Sequence, residues 1–241
     1  MLISRTALIF LLIFGFTVTA VYSQEQAFFF SEHFNDISNW KPITFPKIKK
    51  HSSYSVESYK NNSYLKAESN SSASGLVYVK GFDVYKYPRV RWRWRTEDIY
   101  GKGNAKTKEG DDFSIRVYIF FKYDPEKSGF FEKIMYNSAR LIYGEYPPHS
   151  SLNYIWANML HEDIVITSRY TDRSKMILLQ KGQENLGKWV DQDVNIIEDY
   201  QRAFGTKPPH IGSIAIMNDS DNTGESSISY MDYIEVYRMS E

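Results

Sequence analysis

Cysteine is absent from all 241 residues, which removes disulfide scaffolds, thiolate metal sites and cysteine nucleophiles together. An excess of charge of one sign is also lacking, because 29 Lys and Arg stand against 29 Asp and Glu. Whole-molecule attraction to nucleic acid or to an anionic membrane is therefore not expected, and any charge recognition must be local. No fixed period of about 20 to 50 residues recurs, which disfavours a propeller or a solenoid. The histidines (His33, His51, His149, His161 and His210) are scattered without zinc spacing. A Gly-x-Ser-x-Gly elbow is missing, so an α/β serine hydrolase has no support. The loop from Tyr100 to Gly110 holds Gly101, Lys102, Gly103, Lys106 and Lys108. It lacks the Lys-Ser/Thr ending of a phosphate loop and no helix pattern follows it, so it reads as a flexible rim.

Aromatic residues are plentiful. They make up 16% of the chain within a hydrophobic share of 42%, enough for a large core and favourable to strands. At the start, Arg5 is followed by an apolar run from Ala7 to Phe16 and then by Val21-Tyr22-Ser23. The pattern is that of a secretory signal peptide over residues 1–23, cleaved after Ser23. The run is short for a bilayer span, which disfavours an uncleaved anchor. Residues 24–241 are then expected as a single β-sandwich domain, exported to the periplasm or beyond and with no membrane span.

The most informative stretch runs from Pro88 to Phe121. Arg89, Arg91, Arg93 and Arg95 share one parity, and Val90, Trp92, Trp94 and Thr96 the other. Further on, Phe113, Ile115, Val117, Ile119 and Phe121 alternate with Asp112, Ser114, Arg116, Tyr118 and Phe120. Period two means strand. If the two strands share a sheet, Trp92 and Trp94 pack on its core side, and Arg91, Arg93, Arg95, Asp112, Arg116 and Tyr118 lie together on the other. Such a face must be wet, neutralised by acids, or occupied by an anionic or polyhydroxylated ligand. Trp92, Trp94 and Trp156 can form a sugar-stacking platform, although parity assigns the first two to the core.

Elsewhere short strands dominate, separated by turns. Spacings of three and four from Phe131 to Ile142 mark one amphipathic helix ended by Gly144 and Pro147-Pro148. The segment from Gly187 to Ala203 admits two readings, a strand over Trp189 to Ile196 or, from Ile197, Tyr200, Ala203 and Phe204, a short helix capped by Gly205. Asp219-Ser220-Asp221-Asn222 forms an oxygen-rich loop suited to calcium or to an Asx-stabilised turn; Tyr230 at its twelfth position excludes an EF-hand. Asp232 shares the parity of Ile228, Tyr230, Ile234 and Val236, where a carboxylate needs a cation or several donors. The sum is an all-β fold with one or two short helices, an antiparallel two-sheet β-sandwich of jelly-roll, concanavalin-like kind.

Several stretches together resemble a family of exported bacterial proteins known as a domain of unknown function and numbered 3047. They are Ser74-Gly75-Leu76, Trp92-Arg93-Trp94, Lys108 with Gly110-Asp111-Asp112-Phe113, Arg116-Val117-Tyr118, Asn153-Tyr154-Ile155-Trp156, Asp199-Tyr200 with Phe204-Gly205, and Met217 through Asp219, Asp221, Asn222 and Thr223. That resemblance implies no catalytic residues. Phe34 through Trp40, and Tyr230 through Ile234, also look like the terminal strands of carbohydrate-binding jelly rolls. This likeness implies a structural calcium at Asp232 with Glu32 or Asp36.

The leading expectation is non-catalytic recognition of a glycan or another polyhydroxylated ligand. Its candidate residues are Arg91, Arg93, Lys108, Asp111, Asp112, Arg116, Tyr118, Asp219, Asp221 and Asn222. The first alternative is a glycan-cleaving enzyme pairing Asp112 with Asp219 or Asp221 as acid and base. The second is an envelope assembly protein that uses a Tyr-rich exterior as its interface.

Overall fold

The computed structural model describes residues 26–240 apart from 131, 132, 134, 135 and 138–145. The leader expected over residues 1–23 lies outside the described residues, as does most of the helix expected from Phe131 to Ile142, of which Lys133, Tyr136 and Asn137 are described and helical. Among the described residues no helix is long and apolar enough to cross a membrane.

Strands dominate. In chain order the first seven are β1 (Gln26–Glu32), β2 (Trp40–Ile43), β3 (Ser53–Tyr59), β4 (Asn62–Asn70), β5 (Ala73–Tyr78), β6 (Phe82–Asp83) and β7 (Arg89–Thr96). They are followed by β8 (Arg116–Phe121), β9 (Ser150–Ala157), β10 (Val165–Thr167), β11 (Ser174–Lys181), β12 (Val190–Asn195), β13 (Ile211–Asp219) and β14 (Ser226–Met239). One helix, α1 (Ile196–Phe204), joins β12 to β13. Asn195 caps its start by accepting from the Ile197 and Glu198 N–H groups, and Gly205 ends it at φ 73°, a conformation that favours glycine.

The strands form two sheets. A six-stranded sheet runs β12-β7-β14-β4-β3 with β1 also on β14, and an eight-stranded sheet runs β10-β11-β9-β8-β13-β5-β2 with β6 also on β13. Pairing is antiparallel except between β9 and β11, which are parallel. This is the jelly-roll-like sandwich that the alternating pattern predicts. Its core is aromatic at the centre, where Trp92 lies 5.4 Å from Tyr154 and Trp94 lies 5.9 Å from Trp156, ring centre to ring centre. Val90, Trp92 and Trp94 from one sheet meet Val117, Ile119 and Phe121 from the other, all fully buried. Indole rings therefore pack the interior, and the sugar-platform reading of Trp92, Trp94 and Trp156 is set aside.

The structure corrects one organising expectation. β7 and β8 belong to different sheets, so their polar faces point to opposite sides of the molecule. Arg91, Arg93 and Arg95 lie outside the six-stranded sheet; Arg116 and Tyr118 lie outside the eight-stranded one. The two rows never share a surface. Each arginine of β7 has an acid of its own instead: Arg89 with Asp193 at 2.9 Å, Arg91 with Glu235, Arg93 with Asp191 at 3.4 Å, and Arg95 with Glu97 at 2.5 Å.

A second correction concerns Asp232. The β14 register against β7 slips between Met231 and Tyr233, a bulge that inverts the parity of everything beyond it. Ser229 and Met231 point inward before the bulge, and Ile234 and Val236 point inward after it, all fully buried. Asp232 is left outside, where it accepts from Asn62 Nδ2 at 2.6 Å and sits 3.6 Å from Arg93.

Candidate functional site

The outer face of the eight-stranded sheet is a groove of about 650 Å³. Its floor is built by alternation. With Val117, Ile119 and Phe121 turned inward, β8 presents Arg116, Tyr118 and Phe120 outward; with Leu152, Tyr154 and Trp156 inward, β9 presents Ser151 and Asn153. Tyr118 and Phe120 are stacked at 4.8 Å and 9° from parallel. One wall is the segment Phe45, Pro46, Lys47 and Ile48 after β2, and the other is Ser168, Tyr170 and Thr171 between β10 and β11. Ala73 and Gly75 keep the floor low beside β13, and a side chain at Gly75 would strike the Ile216 carbonyl.

One end of the groove is acidic. Asp111, Arg116, Asp219 and Asp221 line it, with Asp112 directly behind. The Arg116 guanidinium is held by Asp219 Oδ2 and, at 3.3 Å, by Asp111 Oδ1. It also lies 5.0 Å from the Phe113 ring centre and 5.5 Å from that of Tyr118. Phe113 therefore departs from the alternation of its segment. It joins Ala105, Ile155, Met176 and Leu178 in a small cluster of its own, because β8 begins only at Arg116.

Burial works against the Arg116 charge, but Asp219, Tyr118 and Asp111 outweigh it and hold the guanidinium protonated. Burial pushes the Asp219 carboxyl well above the usual carboxylate range; Arg116 opposes this, and Asp112 and Asp111 add to it. Asp111 is raised by burial against Arg116, and Asp221 by burial and by Asp112. Tyr118 is pushed up by burial and stays a neutral hydrogen-bonding group.

The rim beside this end is a knot of side chains. Asn222 Nδ2 donates to the Lys108 carbonyl and to the Tyr170 hydroxyl, both at 2.9 Å, and the Lys108 ammonium lies 5.6 Å from the Tyr170 ring centre. The loop from Tyr100 to Gly110 is packed down rather than standing free, with Tyr100 and Ala105 each 2% exposed. Asn158 fastens it, accepting from the Tyr100 N–H at 2.8 Å and donating to the Asp112 carbonyl at 2.7 Å.

Of the candidate residues, Asp111, Arg116, Tyr118, Asp219, Asp221 and Asn222 meet in this groove, with Asp112 behind it and Lys108 at its rim. Arg91 and Arg93 are on the opposite side of the sandwich. The carboxylates considered for a calcium with Asp232 have other partners. Glu32 accepts from the Phe34 N–H at 2.9 Å and the Trp40 indole at 3.1 Å, and Asp36 accepts from Ser38. Sequence reasoning missed the parts played by Asn153 and Ser151, although period two along β9 places both opposite Tyr154 and Trp156. A second cavity of about 490 Å³ lies between Lys50, His51, Glu68, Asp98 and Ser226, and no Phe, Tyr or Trp lines it.

Solved structures of similar shape include the family 11 carbohydrate-binding module from Clostridium thermocellum, solved with a β-1,3-1,4-mixed-linked tetrasaccharide. It is 13% identical with a TM-score of 0.42, covering 91% of this chain and 99% of the module. A lectin from Bauhinia forficata in complex with GalNAc is 9% identical with a TM-score of 0.41, covering 91% and 100%. Endoglucanase 3 of family GH12 from Trichoderma harzianum is 8% identical with a TM-score of 0.40, covering 92% and 100%. At these identities and scores the likenesses say nothing about a ligand. No curated protein matches the chain in sequence. Residues 38–235 match the family described as protein of unknown function, DUF3047, and the chain belongs to that family.

Proposed function

We propose that this is an exported, non-catalytic binding protein whose groove on the eight-stranded sheet takes a glycan or another polyhydroxylated ligand. The observation that carries the reading is the floor, where a stacked aromatic pair lies beside an unsatisfied polar atom. The stacked rings of Tyr118 and Phe120 offer apolar surface to a sugar, and Asn153 Oδ1, buried in the same floor, has no hydrogen-bond partner among the described residues. A concave, mostly apolar site with a few convergent polar groups is the usual form of a small-ligand site, and an unpaired buried acceptor gains when a ligand hydroxyl reaches it. Arg116, held between Asp111 and Asp219, lines one end, and Tyr170 and Asn222 close the rim.

A specific observation weighs against the cleaving alternative. Acid and base in glycoside hydrolysis stand roughly 5 to 10 Å apart across the scissile bond. Here one oxygen each from Asp112, Asp219 and Asp221 fall within 4.8 Å of one another, and Asp219, 2% exposed, is pinned by Arg116. Such acids support charge balance rather than bond cleavage.

The test is a glycan array probed with the purified protein, with and without a chelator, followed by calorimetry on any hit. Binding of an extended glycan without release of reducing ends is the expected result. Signal at background in both conditions overturns the reading, and release of reducing ends replaces it with the enzyme.

A further inference from the structure

The acidic end of the groove holds more negative charge than its protein partners answer. Asp111, Asp112, Asp219 and Asp221 converge on the single guanidinium of Arg116, and that guanidinium is spent on Asp111 and Asp219. Asp112 is fully buried. Its Oδ2 accepts from the Thr223 N–H at 2.6 Å, but its Oδ1, with no exposed surface, has no hydrogen-bond partner among the described residues. A buried carboxylate oxygen without a donor is costly, and such an atom where other carboxylates converge points to a missing ion or water. Asp221, half-buried at the groove end, has no salt-bridge partner among the described residues.

Asp112, Asp219 and Asp221 can each direct one oxygen to a common point, since the three atoms lie within 4.8 Å of one another. A calcium ion with oxygens at about 2.3 to 2.6 Å spans that separation, and it takes carboxylates, backbone carbonyls and water together. The donor set is all oxygen, with no histidine and, in a chain without cysteine, no thiolate. That favours a hard cation over zinc or copper. From this arrangement we infer that Asp112, Asp219 and Asp221 hold one divalent cation of the calcium class at the end of the groove. The ion balances the carboxylates that Arg116 leaves unanswered, and fastens the β13–β14 loop to the segment entering β8. Burial raises the carboxyls of Asp219 and Asp221, and neighbouring carboxylates add to the shift.

The site stands independently of the glycan reading, and its test uses no glycan. Calcium chloride alone is titrated calorimetrically into the chelator-treated full chain at pH 7, with magnesium chloride in parallel and the melting temperature followed. The expected result is one calcium per chain with a dissociation constant of about 1 mM or tighter, weaker magnesium binding and a raised melting temperature. Asp221→Asn and Asp112→Asn should each weaken calcium binding by about tenfold or more, with far-UV circular dichroism unchanged. Asp221 lies at the groove end, so its variant keeps the test valid if Asp112→Asn fails to fold. Glu57→Gln, on the opposite sheet, should bind as the parent does. Absence of both binding heat and a melting shift at millimolar calcium overturns the inference, as does parent-like binding by Asp221→Asn. Magnesium binding as tight as calcium overturns the assignment to the calcium class.

Discussion

Tyr118 and Phe120, two residues apart on β8, lie ring over ring on the groove floor at 4.8 Å and 9° from parallel. A strand places i and i+2 on one face, and here that spacing stacks the rings into one aromatic pair, each covering a face of the other. Tyr118→Ala removes half of it. Affinity for a bound glycan should fall by about tenfold, corresponding to roughly 1.4 kcal/mol for one lost aromatic contact. Calorimetry checks this against the parent, and unchanged affinity would place the ligand elsewhere.

Arginines on the two sides of the sandwich should respond differently to removal. Arg116 is 5% exposed between two buried carboxylates, and Arg116→Met leaves both without a counter-charge. Breaking such a pair costs about 3 to 5 kcal/mol. Arg93, whose side chain is 41% exposed, belongs to a solvated pair, and Arg93→Met should change stability by less than about 1 kcal/mol. Urea unfolding of the two variants measures the contrast; equal losses would contradict it.

A pH dependence follows from Asp199, in the first turn of α1. Burial raises its carboxyl pKa, against the Tyr154 hydroxyl that donates to it at 3.0 Å and against Arg202. The folded chain then keeps the proton at pH values where the unfolded chain has lost it. Stability attributable to this group is therefore full below the unfolded value and falls as pH rises through the folded one. Asp199→Asn keeps an acceptor for Tyr154 and has no such dependence. Its melting temperature relative to the parent should rise from pH 4 to pH 7, and a difference flat in pH would remove Asp199 as the cause.

Gly103 sits where any side chain would meet the Asn158 amide, the group that fastens the Tyr100–Gly110 loop. Gly103→Ala forces that amide aside in a packed region, at a cost of about 1 to 3 kcal/mol. Urea unfolding tests it, and a loss within error would mean the loop adjusts freely.

Alternation along Arg89–Thr96 and Arg116–Phe121 told which side chains face inward, and Val90, Trp92, Trp94, Val117 and Ile119 are all buried as that pattern requires. It could not tell which sheet each strand joins. Period two defines two faces of a strand but carries no information about its neighbours, and the connection from Glu97 to Ile115 is long enough to cross from one sheet to the other. Asp232 misled for a related reason, since one extra residue in a strand reverses parity without altering composition. The Asp111-Asp112 pair and the Asp219–Asp221 loop were each visible as separate features. A pairing of Asp112 with Asp219 or Asp221 was among the expectations, but alternation could not supply its cause, which is β13 lying beside β8.

The pairing of β1 with β14 sets Gln26 opposite Met239, so the outer ends of these two strands lie side by side on the six-stranded sheet. A tether or affinity tag joined at either of these strand ends would hold the molecule by its back. The groove would then open toward whatever flows past, an orientation suited to capture from a surface.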